Sequence, residues 1–414
     1  MGRLSLILLK LNNIKMMMSK LLTPKVLLAL ICFFFLFTRL YKISEVPPSV
    51  YWDEASIGYN AFSIAQTGKD EWGEVFPIHF RAFGEFKLPV YIYTAAVVVK
   101  LLGLNELSVR IPAVLFSLGV VILTYFLAKK ISGNRRIGLL SSFFISISPW
   151  FFIFSRTGYE ATAGLMFYLL GILLFLHKLS GRLFLFSIIS LVLSVYSYNS
   201  FRIITPVTLL ILIFYKLNEI TRMFKKEFIY IALGGAILIL SAIPIIRLYI
   251  YDAGAARLQV VGTTGASFIS NYFSHFNPDF LVFQGDRNLR SQQSSFSQLY
   301  ILDPFLLLLG LLYIIRSKSK NNFLSLILLL LGPIPAAITK ESPHALRAIS
   351  MVPFIVITSA MGVLSMGQFT KKQSLIGLSI VLIFLAFFVN YFLNFLRVYP
   401  AQSSQHWQYG YRQV

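Results

Sequence analysis

The sequence predicts an all-α polytopic membrane protein of about 11 transmembrane helices, with a first outer loop that carries interfacial helices. Three observations lead there. Of the 414 residues, 57% are hydrophobic and only 13% charged, and mean hydropathy is +0.74. A soluble chain of this length could not hide so many Phe, Leu and Ile side chains. Apolar runs long enough, or nearly so, to cross about 30 Å of hydrocarbon recur along the chain. The loops between them alternate between basic and acidic, as the preference of Lys and Arg for the cytoplasmic side demands.

The runs are 25–41, 110–130, 137–155, 159–178, 183–200, 202–217, 228–250, 303–316, 322–339, 345–367 and 374–396. A further stretch, Leu88 to Leu104, contains Lys100 and two tyrosines and is about 17 residues long, short for a span. Loop charge decides its placement. If it lies in the interface, every inner segment is basic: Arg3, Lys10, Lys15 and Lys20 at the N-terminus, then Lys129/Lys130/Arg135/Arg136, Lys178/Arg182, Lys216/Arg222/Lys225/Lys226, Arg316/Lys318/Lys320 and Lys371/Lys372. If it spans, those clusters fall outside. The expected topology therefore has the N-terminus in the cytoplasm, the C-terminus outside, and the whole chain in the plasma (inner) membrane.

Residues 1–24 read as a basic cytoplasmic segment, 25–397 as the transmembrane catalytic domain with long outer loops at 42–109 and 252–302, and 398–414 as a short outer tail. The apolar run after residue 24 lacks a small-x-small cleavage site and reads as an uncleaved first span. The lone cysteine, Cys32, excludes an internal disulfide and a Cys-based metal site. The net charge of +21 has a bland source in the cytoplasmic loops and a sharper one in an anionic ligand. No nucleic-acid partner is expected.

Acids concentrate on the outer side, where only Glu219 and Glu227 are missing, so any chemistry faces outward. In the first outer loop, Asp53-Glu54 after Tyr-Trp can supply a general base or metal ligands, or Asp53 can simply N-cap a helix over 54–67. Glu85 and Lys87 precede the interfacial helix; Lys87 either snorkels or contacts a phosphate. Arg156 and Glu160 flank a very short outer turn, as a local ion pair or, for Glu160 just inside a span, as a functional acid. Tyr198 and Arg202 belong to YSYNSFR, which anchors at the interface or binds substrate. His344 and Arg347, three apart at an expected helix start, suit a phosphate clamp. The second long loop offers His275, Asp279, Asp286, Arg287 and Arg290. The chain has no Gly-rich phosphate loop, Asp-x-Asp pair, HExxH or GxSxG, which argues against nucleotide donors.

WDEA in the first outer loop, EFKLPVYIY, NELSVRIPAVLFSL, SPWFFIFSRTGYE, YSYNSFR and PHALRAISMVPF together resemble bacterial GT-C glycosyltransferases. The family concerned contains protein O-mannosyltransferases, the lipid A aminoarabinose transferase and RgtA-like enzymes, and the likeness covers roughly residues 25–365. It implies a GT-C type fold and inverting transfer of a sugar from a polyprenyl-phosphate-linked donor to a glycolipid, protein or other cell-envelope acceptor. It also implies Asp53 as the catalytic carboxylate and Glu160 as the later acid, where those enzymes often carry Asp. Their Glu-Lys-Pro motif is spread here over Glu85, Lys87 and Pro89. On this reading Lys87, Arg202, His344 and Arg347 hold phosphate, and Glu54, Glu85, Arg156, Tyr198 and Glu160 orient substrate. A divalent cation is left open as a cofactor, with Asp53, Glu54 and Glu85 as candidate ligands.

Two other functions compete: a transporter or flippase of a lipid-linked or anionic solute, and an oligosaccharide polymerase or ligase using a diphosphate donor. A transporter calls for ionisable groups near mid-membrane on broken, repeat-related helices. Here they cluster at outer ends, and no repeat is evident.

Overall fold

The computed structural model describes residues 23–251, 262–263, 265–368 and 373–412. The basic N-terminus, the first ten residues of the second outer loop, and Lys371/Lys372 lie outside the described residues. A helix occupies every apolar run named above. In chain order the first half comprises α1 (Pro24–Leu40), α2 (Trp52–Thr67), strands β1 (Phe80–Ala82) and β2 (Glu85–Lys87), α3 (Pro89–Leu102), α4 (Glu106–Ser132), α5 (Arg135–Ile147), α6 (Pro149–Phe152), α7 (Ala161–Leu176) and α8 (Gly181–Val195). Then follow α9 (Asn199–Tyr215), α10 (Leu217–Lys226), α11 (Phe228–Tyr251), α12 (Gly265–Ser274), α13 (Asp303–Ser317), α14 (Lys320–Leu331), α15 (Ile334–Ala337), α16 (Met351–Gln368), α17 (Gln373–Arg397) and α18 (Tyr399–Ser403).

Among the described residues, four helices are long and apolar enough to cross a membrane by themselves: Glu106–Ser132, Phe228–Tyr251, Lys320–Ala337 and Leu375–Arg397. The pair α9 and α10, bent by 81°, makes a fifth if counted as one span. Several predicted runs are interrupted in the fold, and the reasons are local. The run 137–155 breaks at Ser148, which precedes Pro149 and is pushed to an extended conformation. Within the span Lys320–Ala337 the regular helix is interrupted at Gly332-Pro333, between α14 and α15. The run 345–367 becomes helical only from Met351, after a series of turns. Helix α3 has 14 residues, which at 1.5 Å rise is ~21 Å, too short for the hydrocarbon layer.

Helices α13 and α16 approach so closely that a Cβ on Gly310 would lie 1.9 Å from the Thr358 carbonyl oxygen, and one on Gly362 would lie 2.0 Å from that of Leu306. Glycine at both positions is what lets the backbones touch, the small-residue packing expected between helices in lipid. Elsewhere aromatics fill the core. Phe152 packs edge-on to Tyr391 and Phe395, and Trp150 donates its indole N–H to the Ala345 carbonyl at 2.9 Å.

Buried Arg39 ties the end of α1 to the α5–α6 segment. Arg39 donates to Ser155 Oγ at 2.7 Å and to the Ser146 carbonyl at 2.8 Å, between the rings of Phe35 and Phe152. In the first long loop, β1 and β2 pair antiparallel, Phe80 opposite Lys87 and Ala82 opposite Glu85.

Candidate active site

A cavity of about 440 Å³ opens where the first outer loop, the starts of α7 and α9, the end of α11 and two later loops meet. Asp53, Glu85, Lys87, Glu160, Tyr198, Arg202, His344 and Arg347 all line it. These residues come from widely separated stretches of sequence, and the fold brings them to one wall-to-wall space.

The N-cap of α2 is Tyr51, not Asp53, and it makes no side-chain cap bond. Asp53 therefore sits inside the first turn, where its carboxylate is not needed for capping. Lys87 Nζ donates to Asp53 Oδ1 at 2.6 Å. Lys87 is 5% exposed, inward-facing at the end of β2, just before Pro89 starts α3. Burial alone would lower its pKa; the charges of Glu160, Asp53 and Glu85, with the Asp53 hydrogen bond, outweigh it and hold the ammonium above its ordinary value. Lys87 thus stays a cation among three carboxylates.

Further cations line the cavity. Arg202, in the first turn of α9, lies 6.0 Å from the Tyr249 ring centroid, and its Nε and Nη2 atoms are buried with no hydrogen-bond partner among the described residues. Arg347 donates to Thr339 Oγ1 at 2.8 Å and to Glu341 Oε2 at 3.1 Å. Arg290 lies over the Tyr51 ring at 4.7 Å. His344 and Arg347 stand on turns rather than at a helix start, since α16 begins only at Met351, so the expected helix-terminal clamp is instead a pair of side chains on a loop.

That loop is positioned by Asp286. One carboxylate oxygen accepts from Asn288 N at 2.9 Å, and the other accepts from Ala345 N at 2.9 Å and lies 3.9 Å from His344 Nδ1. His275, fully buried, accepts from His344 N through Nε2 at 3.2 Å, while its Nδ1 pairs with the Asn271 carbonyl at 2.9 Å. Burial pushes its pKa down to about 4, against smaller opposing effects of backbone hydrogen bonds, so the ring is a neutral acceptor near pH 7.

Glu54 and Arg156, expected to orient substrate, are placed elsewhere. Glu54 is fully buried in a two-pronged ion pair with Arg110, both contacts at 3.0 Å, and also accepts from Gly158 N at 2.7 Å. Arg110 further donates to the carbonyls of Ile43 and Ser49, each at 2.7 Å. Arg156 donates to the backbone carbonyls of Val46, Thr38 and Arg39, each at 2.9 Å. Both side chains bind the first outer loop to the bundle, and neither lines the cavity. With Glu54 held by Arg110, the candidate metal set of Asp53, Glu54 and Glu85 does not assemble; among the described residues no group of three His, Cys, Asp or Glu could hold a metal ion.

The structure adds Tyr51, Tyr159, Asn199, Tyr249, Thr339 and Glu341 to the lining. Of these, Tyr159 and Asn199 adjoin expected residues and carry a sequence signal; Tyr249 lies near the end of the long apolar helix α11, with no motif beside it to mark it.

A family model described as dolichyl-phosphate-mannose-protein mannosyltransferase matches residues 87–246, which include Lys87, Glu160, Tyr198 and Arg202. No curated protein sequence matches the chain. Solved structures do. The archaeal oligosaccharyltransferase AglB from Archaeoglobus fulgidus, in complex with an inhibitory peptide and a dolichol-phosphate, is similar with a TM-score of 0.56 at 13% identity, over 93% of this chain and 56% of that one. ArnT from Cupriavidus metallidurans is similar in the apo state (TM-score 0.52, 14% identity, 82% of this chain and 59% of that one). It is similar also when bound to undecaprenyl phosphate (TM-score 0.50, 13% identity, 83% and 60%). The chain spans a little over half the length of these proteins. At such identities the likeness is one of fold.

Proposed function

We propose that this chain, which has the GT-C glycosyltransferase fold, is an inverting glycosyltransferase. It moves a sugar from a polyprenyl-phosphate-linked donor to a hydroxyl or amine of a glycolipid, protein or cell-envelope glycan. The observation that carries the proposal is the shared cavity: the Asp53 carboxylate on one wall, and Lys87, Arg202, His344 and Arg347 around it. A carboxylate to accept a proton and cations to meet a departing phosphate are what displacement at an anomeric carbon needs. The lipid phosphates held by AglB and ArnT, neighbours of this fold, support the same leaving group here.

In the proposed step the acceptor oxygen or nitrogen attacks the anomeric carbon on the face opposite the phosphate. The nucleophile's proton passes to Asp53, a new bond forms to the anomeric carbon, and the bond to the phosphate oxygen breaks with its electron pair. Direct displacement inverts the centre. Lys87 fixes the Asp53 carboxylate in place through their hydrogen bond, and Glu85 and Glu160 offer acceptors to sugar hydroxyls. Arg202, His344 and Arg347 receive the phosphate charge.

The cavity is assigned to the outer membrane face, with the N-terminus cytoplasmic, eleven crossings and α3 lying in the interface. The basic loops at the other end of the bundle support that orientation. Domain limits of 1–24, 25–397 and 398–414 follow from it. The test is incubation of membranes containing the protein with radiolabelled polyprenyl-phosphate sugars. Label moving from lipid to a second fraction, and only when this protein is present, supports the proposal; no transfer from any monophosphate donor, with transfer from a diphosphate donor, contradicts it.

A further inference from the structure

A second cavity, of about 580 Å³, lies between α9, α13 and α14. Its walls are apolar: Ile211 and Tyr215 from α9, Ile314 and Ile315 from α13, Phe323 and Ile327 from α14. Lys318 and Lys320 line its mouth. Helix α13 starts at Asp303, just after the loop that lines the candidate active site, and α15 runs back to Pro335, which also lines it. The turn carrying the two lysines is therefore at the opposite end of the bundle.

Three observations show what this groove would hold. Neither lysine forms an ion pair among the described residues. The acids at this end are already engaged: Glu219 accepts from Lys216 Nζ at 2.7 Å and from Leu179 N at 3.1 Å, and Glu227 accepts from Gly181 N at 2.5 Å. And α10, turned 81° from α9, carries Arg222, Lys225 and Lys226 while leaving Leu217 and Phe224 half-exposed, the pattern of a helix lying in a bilayer surface. An apolar groove between helices, rimmed by ammonium groups that form no ion pair among the described residues, matches an acyl chain along its walls and a phosphate at its lysines.

We infer that this groove binds one anionic glycerophospholipid, its acyl chain between α9, α13 and α14 and its headgroup phosphate on Lys318 and Lys320. The inference rests on the membrane orientation proposed above but not on the transferase reaction. The test uses the purified full chain, and binding is read by native mass spectrometry during titration with phosphatidylglycerol or phosphatidylcholine. The wild type should retain phosphatidylglycerol preferentially, and each lysine removed should weaken it by roughly fivefold, so that Lys318→Gln/Lys320→Gln loses the preference. Ile315→Trp, which fills the groove and leaves both lysines, should lose retention as well; single Lys318→Gln serves if the double variant fails to fold. Equal retention of the two lipids by the wild type, or undiminished phosphatidylglycerol retention by Lys318→Gln or Ile315→Trp, overturns the inference.

Discussion

Lys87 donates to Asp53 at 2.6 Å across 34 positions of sequence, from the end of a β-hairpin to the first turn of a helix. The hairpin makes the relationship possible. It turns the chain back so that a strand residue facing inward reaches the α2 carboxylate, and Pro89 then starts α3 without lengthening the strand.

If this ammonium fixes the carboxylate in place, Lys87→Gln keeps a hydrogen bond but loses the charge, and transfer should drop by about 10²-fold with little change in melting temperature. Lys87→Arg should recover part of it. Steady-state transfer rates at saturating donor check this; a rate within a fewfold of wild type for Lys87→Gln would remove Lys87 from the mechanism.

The Glu54–Arg110 pair has a different role. Both side chains are buried, and Glu54 also holds Gly158 N. Removing one partner of a fully buried ion pair costs about 3–5 kcal/mol. Glu54→Gln should therefore lower thermal stability strongly, whereas Glu85→Gln, on the cavity wall, should lower activity and leave the melting transition near wild type. Thermal unfolding in detergent, followed beside transfer activity, separates the two.

Much of this arrangement is legible in the sequence. The apolar runs mark the helices, because burial in lipid demands long apolar segments, and polar residues at the ends of those runs mark the lining of the cavity. Asp53, Lys87, Glu160, Arg202, His344 and Arg347 line one cavity, as their places at the ends of apolar runs implied. What stayed hidden depends on long-range pairing. Nothing near Glu54 in the sequence indicates that Arg110, 56 residues on, takes both its oxygens. Nothing near Arg156 shows that its partners are backbone carbonyls more than 100 residues earlier. Pro333 and Pro335 mark the break between α14 and α15 in the sequence, whereas the break at Ser148-Pro149 is masked by the hydrophobicity on both sides of it.

Arg202 and Arg347 face the space assigned to the donor phosphate. Charge-assisted hydrogen bonds contribute about 1.5–3 kcal/mol each. Arg202→Ala or Arg347→Ala should raise the donor KM or lower kcat/KM by roughly 10–100-fold, with acceptor KM nearly unchanged. A change confined to the acceptor would move these arginines to the other substrate.

His275 supplies a pH test in the second outer loop. Its pKa of about 4 lies below the ordinary 6.5, chiefly because burial disfavours the charged ring. The unfolded chain therefore binds a proton that the folded one refuses between these values. The contribution of the neutral ring is fully present above pH 6.5 and is lost as pH falls towards 4. His275→Gln, which keeps an acceptor for His344 N, should flatten stability over that window. Asp286, whose carboxyl burial pushes up, titrates in the opposite sense and is unchanged in the comparison. Equal acid sensitivity of the two proteins would contradict the assignment of a neutral His275.

The central claim is that Asp53 accepts the acceptor's proton. It is tested most directly by single-turnover transfer with Asp53→Asn, measured beside donor-lipid binding by the same purified protein. Asn preserves size and a hydrogen-bond acceptor for Lys87 but cannot take up a proton, so transfer should fall by about 10³-fold or more while donor binding and the melting transition stay near wild type. Transfer by Asp53→Asn at a rate close to wild type would contradict the account.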